Sequence, residues 1–598
     1  MRVYCGDVSK VHLDSAITIS AWVHRIRDHG GVLFVDCRDI TGVVQVVCNP
    51  ENKQSFVVAQ KLRDEAVITI TGVVRHRPDG TDNANIVTGS YELVADSIKI
   101  LNSSDQLPFS LNEFIPVGES TRFKYRYLDL RRTEVAAKIL TRAKGVSILR
   151  NYLEMQNFFD IETPILTKTT PEGARDYLVP SRVHKGEFYA LPQSPQIFKQ
   201  ILMIAGFDRY YQVARCFRDE DLRSDRQPEF SQLDVEMSFL SQREIMDFAE
   251  GSIVKLFKEL LDVNLGKFNV MTYHDVMQKY GSDKPDLRNP LFFTPCDDLF
   301  TNCEFNVFAD PANKKGSRVA ALRLPGGCSK LTRKNLDNYT SLVTKFGAKG
   351  LAYIKVNDIS AKLEGMQSPL IKFLNWDIIE SVIKRTGAVD GDILFFGAGK
   401  NSVVNQSMDV LRQQLGKDLG LLENDWEVLW VVDFPLFEEE KNDAGYFSPV
   451  HHLFTAPKVN SIAELDENAA SCLSQAYDLV INGYEVGGGS IRIHDINMQM
   501  NILEKIGMDE DEAKQKFGHL LEALRYGCPP HGGFAFGLDR LFMLITGAET
   551  IKEVIAFPKT QSASCPLTDA PSDPEKKQLV DLGLRLREVA VDKAKSTD

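Results

Sequence analysis

Charged side chains occupy regular positions in segments whose alternation predicts β-strands. In "FRDEDLRSDRQPEFSQLDVE", residues 217–236, a highly charged stretch runs into an alternating one. Phe230, Gln232, Asp234 and Glu236 fall on one face, and smaller or apolar residues fall on the other. A strand that places two carboxylates on one face, directly after a charged loop, is unusual for a purely structural element. This segment is therefore a candidate for a functional site.

Similar sets of arginines and carboxylates recur further along the chain. Arginine binds phosphate through two parallel hydrogen bonds, and carboxylates can hold Mg²⁺ that neutralises a polyphosphate. The sequence contains no GxxxxGK[ST] loop and no GxGxxG motif that opens a helix. One ion pair alone would be read as structural, but several together favour a nucleotide site. The sets are Arg218 with Glu220, Asp234 with Glu236, Asp478 with Glu485 and Arg492, and Asp539 with Arg540.

Short alternating runs dominate residues 1–105. Five predicted strands, interrupted by one helix-like stretch "KQSFVVAQKLRDE", suggest a small closed barrel of the oligonucleotide-binding kind. Such barrels bind single-stranded nucleic acid through aromatic side chains, and Trp22 and Phe34 are the candidates. The alternative is that both rings belong to the barrel core. We predict a core position for Trp22 and leave Phe34 open.

The rest of the chain divides into further parts, because single cores seldom exceed about 250–300 residues. The helical spacing of "AAKILTRAKGVSILRNYLEMQ" predicts a helix, and "NFFDIETPIL" predicts a strand that Pro164 ends. A self-contained α+β domain is predicted at 286–420, with strands "RVAALRLPGG", "GLAYIKVN", "PLIKFL" and "GDILFFGAG" and a helix "LTRKNLDNYTSLVTKFG". The predicted parts are a barrel at 1–105, a linker at 106–140, a catalytic domain at 141–285 and 421–562 that is split by the insertion at 286–420, and a C-terminal extension at 563–598.

Composition limits the class of protein. The formal net charge is −12, so a nucleic-acid partner would have to be held by local patches. The ten cysteines form no CxxC pair and are predicted to be reduced thiols. No signal peptide or membrane-spanning run is present in the sequence, which predicts a soluble cytoplasmic protein without membrane contact.

Three segments carry a family resemblance. "NFFDIETP" after its helix, "RCFRDEDLRSDRQPEF" and "GGFAFGLDRL" resemble, in order, the three signature motifs of class II aminoacyl-tRNA synthetases. "TPEGARDYLVPSR", "LPQSPQIFKQ", "HHLFTAPK" and "GYEVGGGSIRIH" are similar to the bacterial aspartyl-tRNA synthetases, and the likeness runs from end to end. Two positions depart from that pattern: Asn157 replaces a frequent Gly, and Leu453 replaces a usual Pro. Asn tolerates a left-handed backbone better than most residues, so the first departure is mild.

The resemblance implies a fold and a reaction. It implies a multidomain α+β protein with an N-terminal OB-fold barrel, an antiparallel catalytic sheet flanked by helices, an inserted α+β domain, and a homodimer with the first motif at its interface. The implied reaction joins L-aspartate to ATP as an aspartyl-adenylate and then transfers it to tRNA(Asp), with Mg²⁺ as cofactor.

The same resemblance implies roles for individual residues. Arg218 would bridge the amino-acid carboxylate and the α-phosphate, Arg540 would hold the γ-phosphate, and Asp478 and Glu485 would carry Mg²⁺. Further ATP-binding positions are implied at Asp219, Glu220, Gln227, Glu485, Gly537, Leu538 and Asp539. Aspartate would be bound by Lys199 and Arg492 at its side chain, with His451 nearby and Asp234 orienting the pair, and by Glu172, Ser194 and Gln196 at its α-ammonium.

In the barrel, the resemblance assigns anticodon contacts to Arg27, Phe34 and Gln45. His29 and Gly80 match the members that charge both tRNA(Asp) and tRNA(Asn), so we predict this relaxed specificity. The alternative is that both are ordinary loop residues of an enzyme strict for tRNA(Asp). Other possibilities are a lysyl- or asparaginyl-tRNA synthetase, which the cationic Lys199 and Arg492 and the insertion disfavour, and an inactive nucleic-acid-binding barrel protein.

Overall fold

The structure, a computed structural model, describes residues 2–111, 116–170 and 173–587. The chain divides into two compact units, residues 1–136 and 137–598. Within the described ranges, none of the helices has both the length and the apolar character needed to span a bilayer. The cytoplasmic location stays a prediction.

The first unit contains a closed barrel with strand order β1-β2-β3-β5-β4. Alternate residues of β1, among them Ile17, Ile19, Ala21 and Val23, point into its core, and a helix between β3 and β4 completes the predicted five strands and one helix. The elements are β1 Ala16–His29, β2 Val32–Asp39, β3 Gly42–Cys48, α1 Lys53–Ala59, β4 Val67–His76 and β5 Tyr91–Asn102, followed by α2 Glu119–Lys124 and α3 Arg126–Asp129.

Trp22 is not a core residue, and that prediction is wrong. It lies between the inward-facing Ala21 and Val23, so its ring is on the outer face of the barrel, where the Arg131 guanidinium lies 5.4 Å from the ring centroid. The alternation of a strand, and not the size of the ring, decides the face. Phe34 is also half-buried and outside the core.

The second unit is built on an eight-stranded sheet of order β11-β17-β18-β19-β20-β10-β9-β6. The six central strands pair antiparallel, and only the β11–β17 and β6–β9 pairs at the edges are parallel. Its elements up to the insertion are α4 Thr133–Met155, which begins at the end of the first unit, then β6 Phe159–Asp160, β7 Leu178–Pro180, β8 Phe188–Ala190, α5 Gln196–Ile204, β9 Arg209–Phe217, β10 Glu229–Ser238, α6 Gln242–Leu261, β11 Asn269–Thr272 and α7 Tyr273–Tyr280.

A separate five-stranded sheet of order β12-β13-β16-β14-β15 lies within the predicted insertion. Its elements are β12 Phe293–Pro295, α8 Asp297–Phe300, α9 Asn306–Ala312, β13 Ser317–Leu324, α10 Gly327–Lys330, α11 Arg333–Thr344, β14 Ala352–Val356, β15 Met366–Gln367, α12 Trp376–Thr386, β16 Ile393–Lys400 and α13 Asn401–Asp418. Three of the four predicted strands form, but "PLIKFL" is a 3₁₀ helix, Pro369–Lys372. Ser368 caps it by accepting a hydrogen bond from the Leu370 N–H, with Pro369 at the first helical position, and both features favour a helix start.

After the insertion the chain returns to the main sheet. The elements are β17 Val428–Val432, α14 Ile462–Asn468, β18 Ala476–Ile481, β19 Tyr484–Ile491, α15 Ile496–Lys505, α16 Glu510–Ala523, β20 His531–Gly537, α17 Leu538–Ile545 and α18 Lys576–Leu582. The boundaries of the predicted domains stay proposals, and α18 lies within the predicted C-terminal extension.

Strand β10 shows why the sheet carries charge on one side only. Leu233, Val235 and Met237 pack into the main core with α4, α6 and α17, and β10 lies between β9 and β20. Its other face therefore turns its polar residues away from that core. The hairpin β9–loop–β10 is the predicted strand, charged loop and strand.

Asn157, which ends the turn after α4, has φ 63°, the left-handed conformation that its replacement of Gly predicted. The following strand is shorter than expected, because only Phe159 and Asp160 pair with β9 before the chain leaves the sheet.

Candidate active site

One cavity of about 420 Å³ lies against β10, β18, β19 and β20. It gathers side chains from segments more than 300 residues apart in sequence, which is what the separate charged strands predicted. The predicted site residues that line it are Ser194, Gln196, Lys199, Arg218, Glu220, Gln227, Asp234, His451, Asp478, Glu485, Arg492, Gly537, Asp539 and Arg540.

Two cations and two carboxylates are packed together at the cavity wall. The Lys199 Nζ is 3.1 Å from Asp234 Oδ1 and 3.4 Å from Glu236 Oε2. Arg492 donates two hydrogen bonds to Glu236, at 2.9 Å and 3.1 Å, and one to Ser490 Oγ at 2.7 Å. All four charged side chains are buried.

Their pKa values follow from burial and pairing. Burial alone raises the pKa of Glu236, but Arg492 and Lys199 outweigh it and bring that pKa down to about 2. Burial raises the pKa of Asp234, against the opposing charge of Lys199. Asp234 Oδ2 has no hydrogen-bond partner among the described residues. The four charges cancel when both acids are ionised. Because the two acids hold Lys199 and Arg492 in fixed positions, a substrate carboxylate would meet two cations that are already in place.

Arg218 begins the charged loop after β9. Its guanidinium lies 5.0 Å from the centroid of the Phe230 ring, and its Nε has no hydrogen-bond partner within the described part of the chain. A buried, unbonded N–H at a cavity wall is costly unless a ligand accepts from it. Arg218 is therefore suited to an anionic ligand.

Two histidines beside this cluster are neutral. Burial lowers the pKa of His451 to about 4, and burial together with the charge of Arg492 lowers that of His452 to about 3. The Nε2 atoms of both rings lack partners among the residues that the structure describes.

Arg540 also lines the cavity, and its guanidinium contacts Asp225 Oδ2 at 3.1 Å and the Glu485 carbonyl oxygen at 3.1 Å. Glu220 is paired with Arg226 within the same charged loop. These contacts hold the loop and the start of α17 at one wall of the cavity.

Asp478 and Glu485 lie on the paired strands β18 and β19 and line the same cavity. Burial, and after it the charge of Glu485, raises the pKa of Asp478 well above its ordinary value. Mg²⁺ is usually held by one or two carboxylates together with substrate phosphates. Two carboxylates that line one cavity fit such an ion.

The floor of the cavity is main chain, contributed by the glycines of β19. A Cβ at Gly487 would lie 2.3 Å from the Ala535 carbonyl oxygen, and one at Gly489 would lie 1.9 Å from that of Gly533. Any side chain here would separate β19 from β20. The "GGG" triplet thus marks close strand approach and leaves a flat surface.

Some predicted residues do not face the cavity. Asp219 does not line it, because its carboxylate turns outward to Arg175, at 3.6 Å. Leu538 is buried in the main core. Glu172 lies outside the described residues.

Two residues that line the cavity are engaged by the protein itself. The Gln227 amide exchanges two hydrogen bonds with the Lys559 backbone, at 2.8 Å and 3.2 Å. Asp539 is paired with Arg142 and accepts from the Ser231 N–H at 3.0 Å. Their side chains therefore fix the loop and β10.

The structure adds His452 to the site and shows how two residues of the alternating face take part in it. Glu236 is the shared partner of Lys199 and Arg492, and Gln232 and His452 line the cavity. Glu236 and Gln232 share the alternating face with Asp234, as the strand pattern predicted, whereas no role was predicted for His452.

The barrel carries its predicted residues on the outside of β1, β2 and β3. Arg27 donates to Asp36 at 2.6 Å and to Gln45 Oε1 at 3.1 Å, and the Gln45 amide donates to Glu92 at 2.8 Å. The rings of His29 and Phe34 meet edge to face at 5.8 Å. An aromatic ring beside a line of donors and acceptors can stack on one base and bond to another.

Gly80 lies at an exposed turn with φ 79°, closed by a hydrogen bond from the Thr81 N–H to the Pro78 carbonyl oxygen at 3.0 Å. Space around it is open. Glycine is favoured there by the backbone alone, whatever the turn contacts.

Comparisons with known proteins agree with this geometry. Residues 118–561 match the family of class II tRNA synthetases of the D, K and N group, and residues 17–101 match the OB-fold nucleic acid binding domain. The chain belongs to the class II tRNA synthetases. This synthetase is 55% identical over 584 residues to the aspartate–tRNA(Asp/Asn) ligase of Legionella pneumophila strain Philadelphia 1, and 54% identical to that of strain Paris. Each alignment covers 98% of both chains.

Solved structures share the fold of this synthetase. The asparaginyl-tRNA synthetase of Pyrococcus horikoshii in complex with asparaginyl-adenylate aligns with a TM-score of 0.58 at 17% identity, covering 94% of this chain and 98% of that one. The aspartyl-tRNA synthetase of Entamoeba histolytica aligns with a TM-score of 0.56 at 17% identity, covering 93% and 91%. The protein is thus an aminoacyl-tRNA ligase with an OB-fold barrel and a class II catalytic sheet.

Proposed function

We propose that this synthetase activates L-aspartate with ATP and attaches it to tRNA(Asp) and also to tRNA(Asn). The observation that carries the choice of amino acid is the buried pair of cations, Lys199 and Arg492, at the wall of the cavity that Arg218 also lines. In a substrate with two carboxylates, the side-chain carboxylate would meet Lys199 and Arg492, and the α-carboxylate would meet Arg218. Lysine would place an ammonium beside these cations, and asparagine would leave their N–H groups poorly matched.

The reaction needs positioning and charge neutralisation and no nucleophilic side chain. An oxygen of the aspartate α-carboxylate attacks the α-phosphorus of ATP, the bond to the β-phosphate oxygen breaks, and pyrophosphate leaves. A terminal ribose hydroxyl of the tRNA then attacks the acyl carbon, loses its proton and releases AMP. Arg218 neutralises charge at the α-phosphate, and Arg540 holds the far end of the polyphosphate.

Asp478 and Glu485 would hold Mg²⁺, which supplies further neutralisation of the phosphate charge when ATP is bound. Gly537 offers its backbone to the adenine. The space on its Cβ side is nearly open, with the Val486 carbonyl oxygen 3.7 Å from where a Cβ would lie, so a ligand can approach the main chain there. Ser194 and Gln196 take the α-ammonium.

The barrel reads the anticodon through Arg27, Phe34 and Gln45. The two anticodons differ only at the third base. Gly80 lies at an open turn and offers no side-chain donor, and the His29 ring can donate or accept, so neither residue selects one pyrimidine. The names of the Legionella relatives support the same range of tRNAs.

A homodimer through the first motif is part of the proposal. Apolar side chains are exposed along this motif, with Met155 at 75%, Phe159 at 56% and Leu166 at 53%. Light scattering should give twice the chain mass, and Phe159→Lys should shift it towards the monomer.

The decisive experiment is aspartate-dependent exchange of pyrophosphate into ATP, followed by charging of unmodified tRNA(Asp) and tRNA(Asn) transcripts. Absence of exchange would support the alternative of an inactive barrel protein. Exchange that depends on lysine or asparagine would show that the enzyme activates that amino acid instead of aspartate. If tRNA(Asn) is charged orders of magnitude less efficiently than tRNA(Asp), the enzyme is the strict kind. His29→Leu with Gly80→Lys should reduce the tRNA(Asn) reaction selectively, while Gly80→Ala controls for the backbone strain that any change at Gly80 introduces.

A further inference from the structure

A chain of side-chain hydrogen bonds leads away from the cavity into the protein. The Gln196 Nε2 donates to Gln200 Oε1 at 3.1 Å, and the Gln200 Nε2 lies 3.2 Å from His531 Nε2. Gln200 and His531 are fully buried, with exposed fractions of 1% and 0%. Gln196 is the member that lines the cavity.

The direction of this chain is determined at its inner end. The His531 Nδ1 lies 2.8 Å from the Pro529 carbonyl oxygen, which can only accept, so Nδ1 carries the proton. In a neutral ring Nε2 is then an acceptor, and Gln200 must present its NH₂ group to it. The Gln200 carbonyl oxygen is left to face Gln196, which must present its own NH₂ group in turn.

The consequence at the cavity is a free carbonyl oxygen. The Gln196 Oε1 has no hydrogen-bond partner among the described residues. A carbonyl oxygen accepts hydrogen bonds from an ammonium group, whereas an NH₂ group in the same place would repel it. We propose that Gln200 and His531 are positioning residues that hold the Gln196 carbonyl oxygen ready for the α-ammonium of the substrate. This inference rests on the proposed function.

The arrangement requires a neutral His531. The charged and titratable groups that face its ring are Glu236, Arg492, His494 and Cys528, the last with its Sγ 3.7 Å from Nδ1. Burial lowers the pKa of His531 from its ordinary value of 6.5, against the opposing charge of Glu236, so the ring is neutral at pH 7. A proton on Nε2 would turn Gln200 round and make Gln196 present its NH₂ group to the substrate.

Gln200→Leu tests the chain directly by pyrophosphate exchange. We expect the KM for aspartate to rise roughly tenfold, because an oriented hydrogen bond to a charged group is lost, while the KM for ATP stays unchanged. Succinate is aspartate without its ammonium, so its inhibition constant should not change. The proposal would be overturned if the KM for aspartate and the inhibition constant of succinate rose equally, or if the KM for aspartate did not change. Cys528→Ala is the matched control and should match the wild type.

A second pair of variants decides the matter if Gln200→Leu does not fold. His531→Leu should raise the KM for aspartate, and His531→Gln, which can still accept from Gln200, should restore it. In the wild type this KM should rise once the pH falls below the ordinary histidine pKa of 6.5 far enough to protonate His531, whose pKa is lowered by burial. In His531→Gln the rise should be absent, with His494→Gln behaving as the wild type. An identical pH profile in His531→Gln would refute the role of the ring. Absence of exchange in the wild type would instead refute the proposed function.

Discussion

Replacing Glu236 by Gln should destabilise the catalytic unit by roughly 3–4 kcal/mol. The carboxylate is fully buried and is the shared partner of Lys199 and Arg492. Its pKa is about 2 in the folded chain, against an ordinary value of 4.5. Each pH unit of such a difference corresponds to about 1.4 kcal/mol, which gives the figure above. Breaking a buried ion pair from one side costs about the same, roughly 3–5 kcal/mol.

The assay is urea unfolding of the full chain at pH 7 and again at pH 3. Because the pKa is lowered on folding, the contribution of Glu236 is fully present above pH 4.5 and is lost as the pH falls towards 2. The difference between wild type and Glu236→Gln should therefore be largest at pH 7 and smaller at pH 3. Asp234 titrates in both proteins, but the Glu236 charge is one cause of its raised pKa, so that pKa should be lower in Glu236→Gln.

Glu229→Gln is the matched control on the same strand. Glu229 has two cationic partners, Lys559 at 2.7 Å and Arg215 at 2.6 Å, but 35% of its side chain is exposed. Its loss should cost less than about 1 kcal/mol, because solvent screens exposed pairs. If Glu236→Gln unfolds at the same urea concentration as Glu229→Gln, the buried cluster does not stabilise the fold more than an exposed ion pair does.

Three further outcomes are expected. Arg218→Ala should reduce pyrophosphate exchange about 10²–10³-fold without changing the unfolding midpoint, and near-normal exchange in the folded variant would contradict its role. Folded Arg492→Leu should bind aspartate much more weakly than the wild type and bind ATP equally well. An unchanged aspartate affinity in calorimetry would exclude Arg492 as the partner of the aspartate side chain. Phe34→Ala should weaken tRNA charging by about 1–3 kcal/mol and spare exchange, and a parallel loss of both would make Phe34 a structural residue.

Much of the architecture could be predicted because it depends on local patterns. The barrel and the β9–β10 hairpin follow from alternation, and the left-handed backbone at Asn157 follows from residue type. The core prediction for Trp22 is wrong because the alternation of β1 puts its neighbours Ala21 and Val23 inside the barrel. The strand prediction for "PLIKFL" is wrong because it rested on the apolar run alone and did not use the helix-start signal of Ser368 before Pro369.

The partners within the site could not be predicted in the same way. The Gln227 amide meets the backbone of Lys559, 332 residues away, and Gln200 meets His531, 331 residues away. No local pattern encodes such distances, so the sequence supplied the residue types of the cavity and the fold supplied their pairing. The same reason explains why Asp234 and Glu236 could be placed on one face but their different partners could not be told apart.

The glycine floor of the cavity has a consequence for inhibitors. Resistance to a compound usually arises when one substitution changes the shape of the surface that the compound touches. Against Gly487 and Gly489 that route is closed, because even a single methyl group would come within 2.3 Å and 1.9 Å of carbonyl oxygens in β20 and force the strands apart. A compound that lies flat on this strip would rest on a surface that cannot be altered by one mutation without losing the sheet.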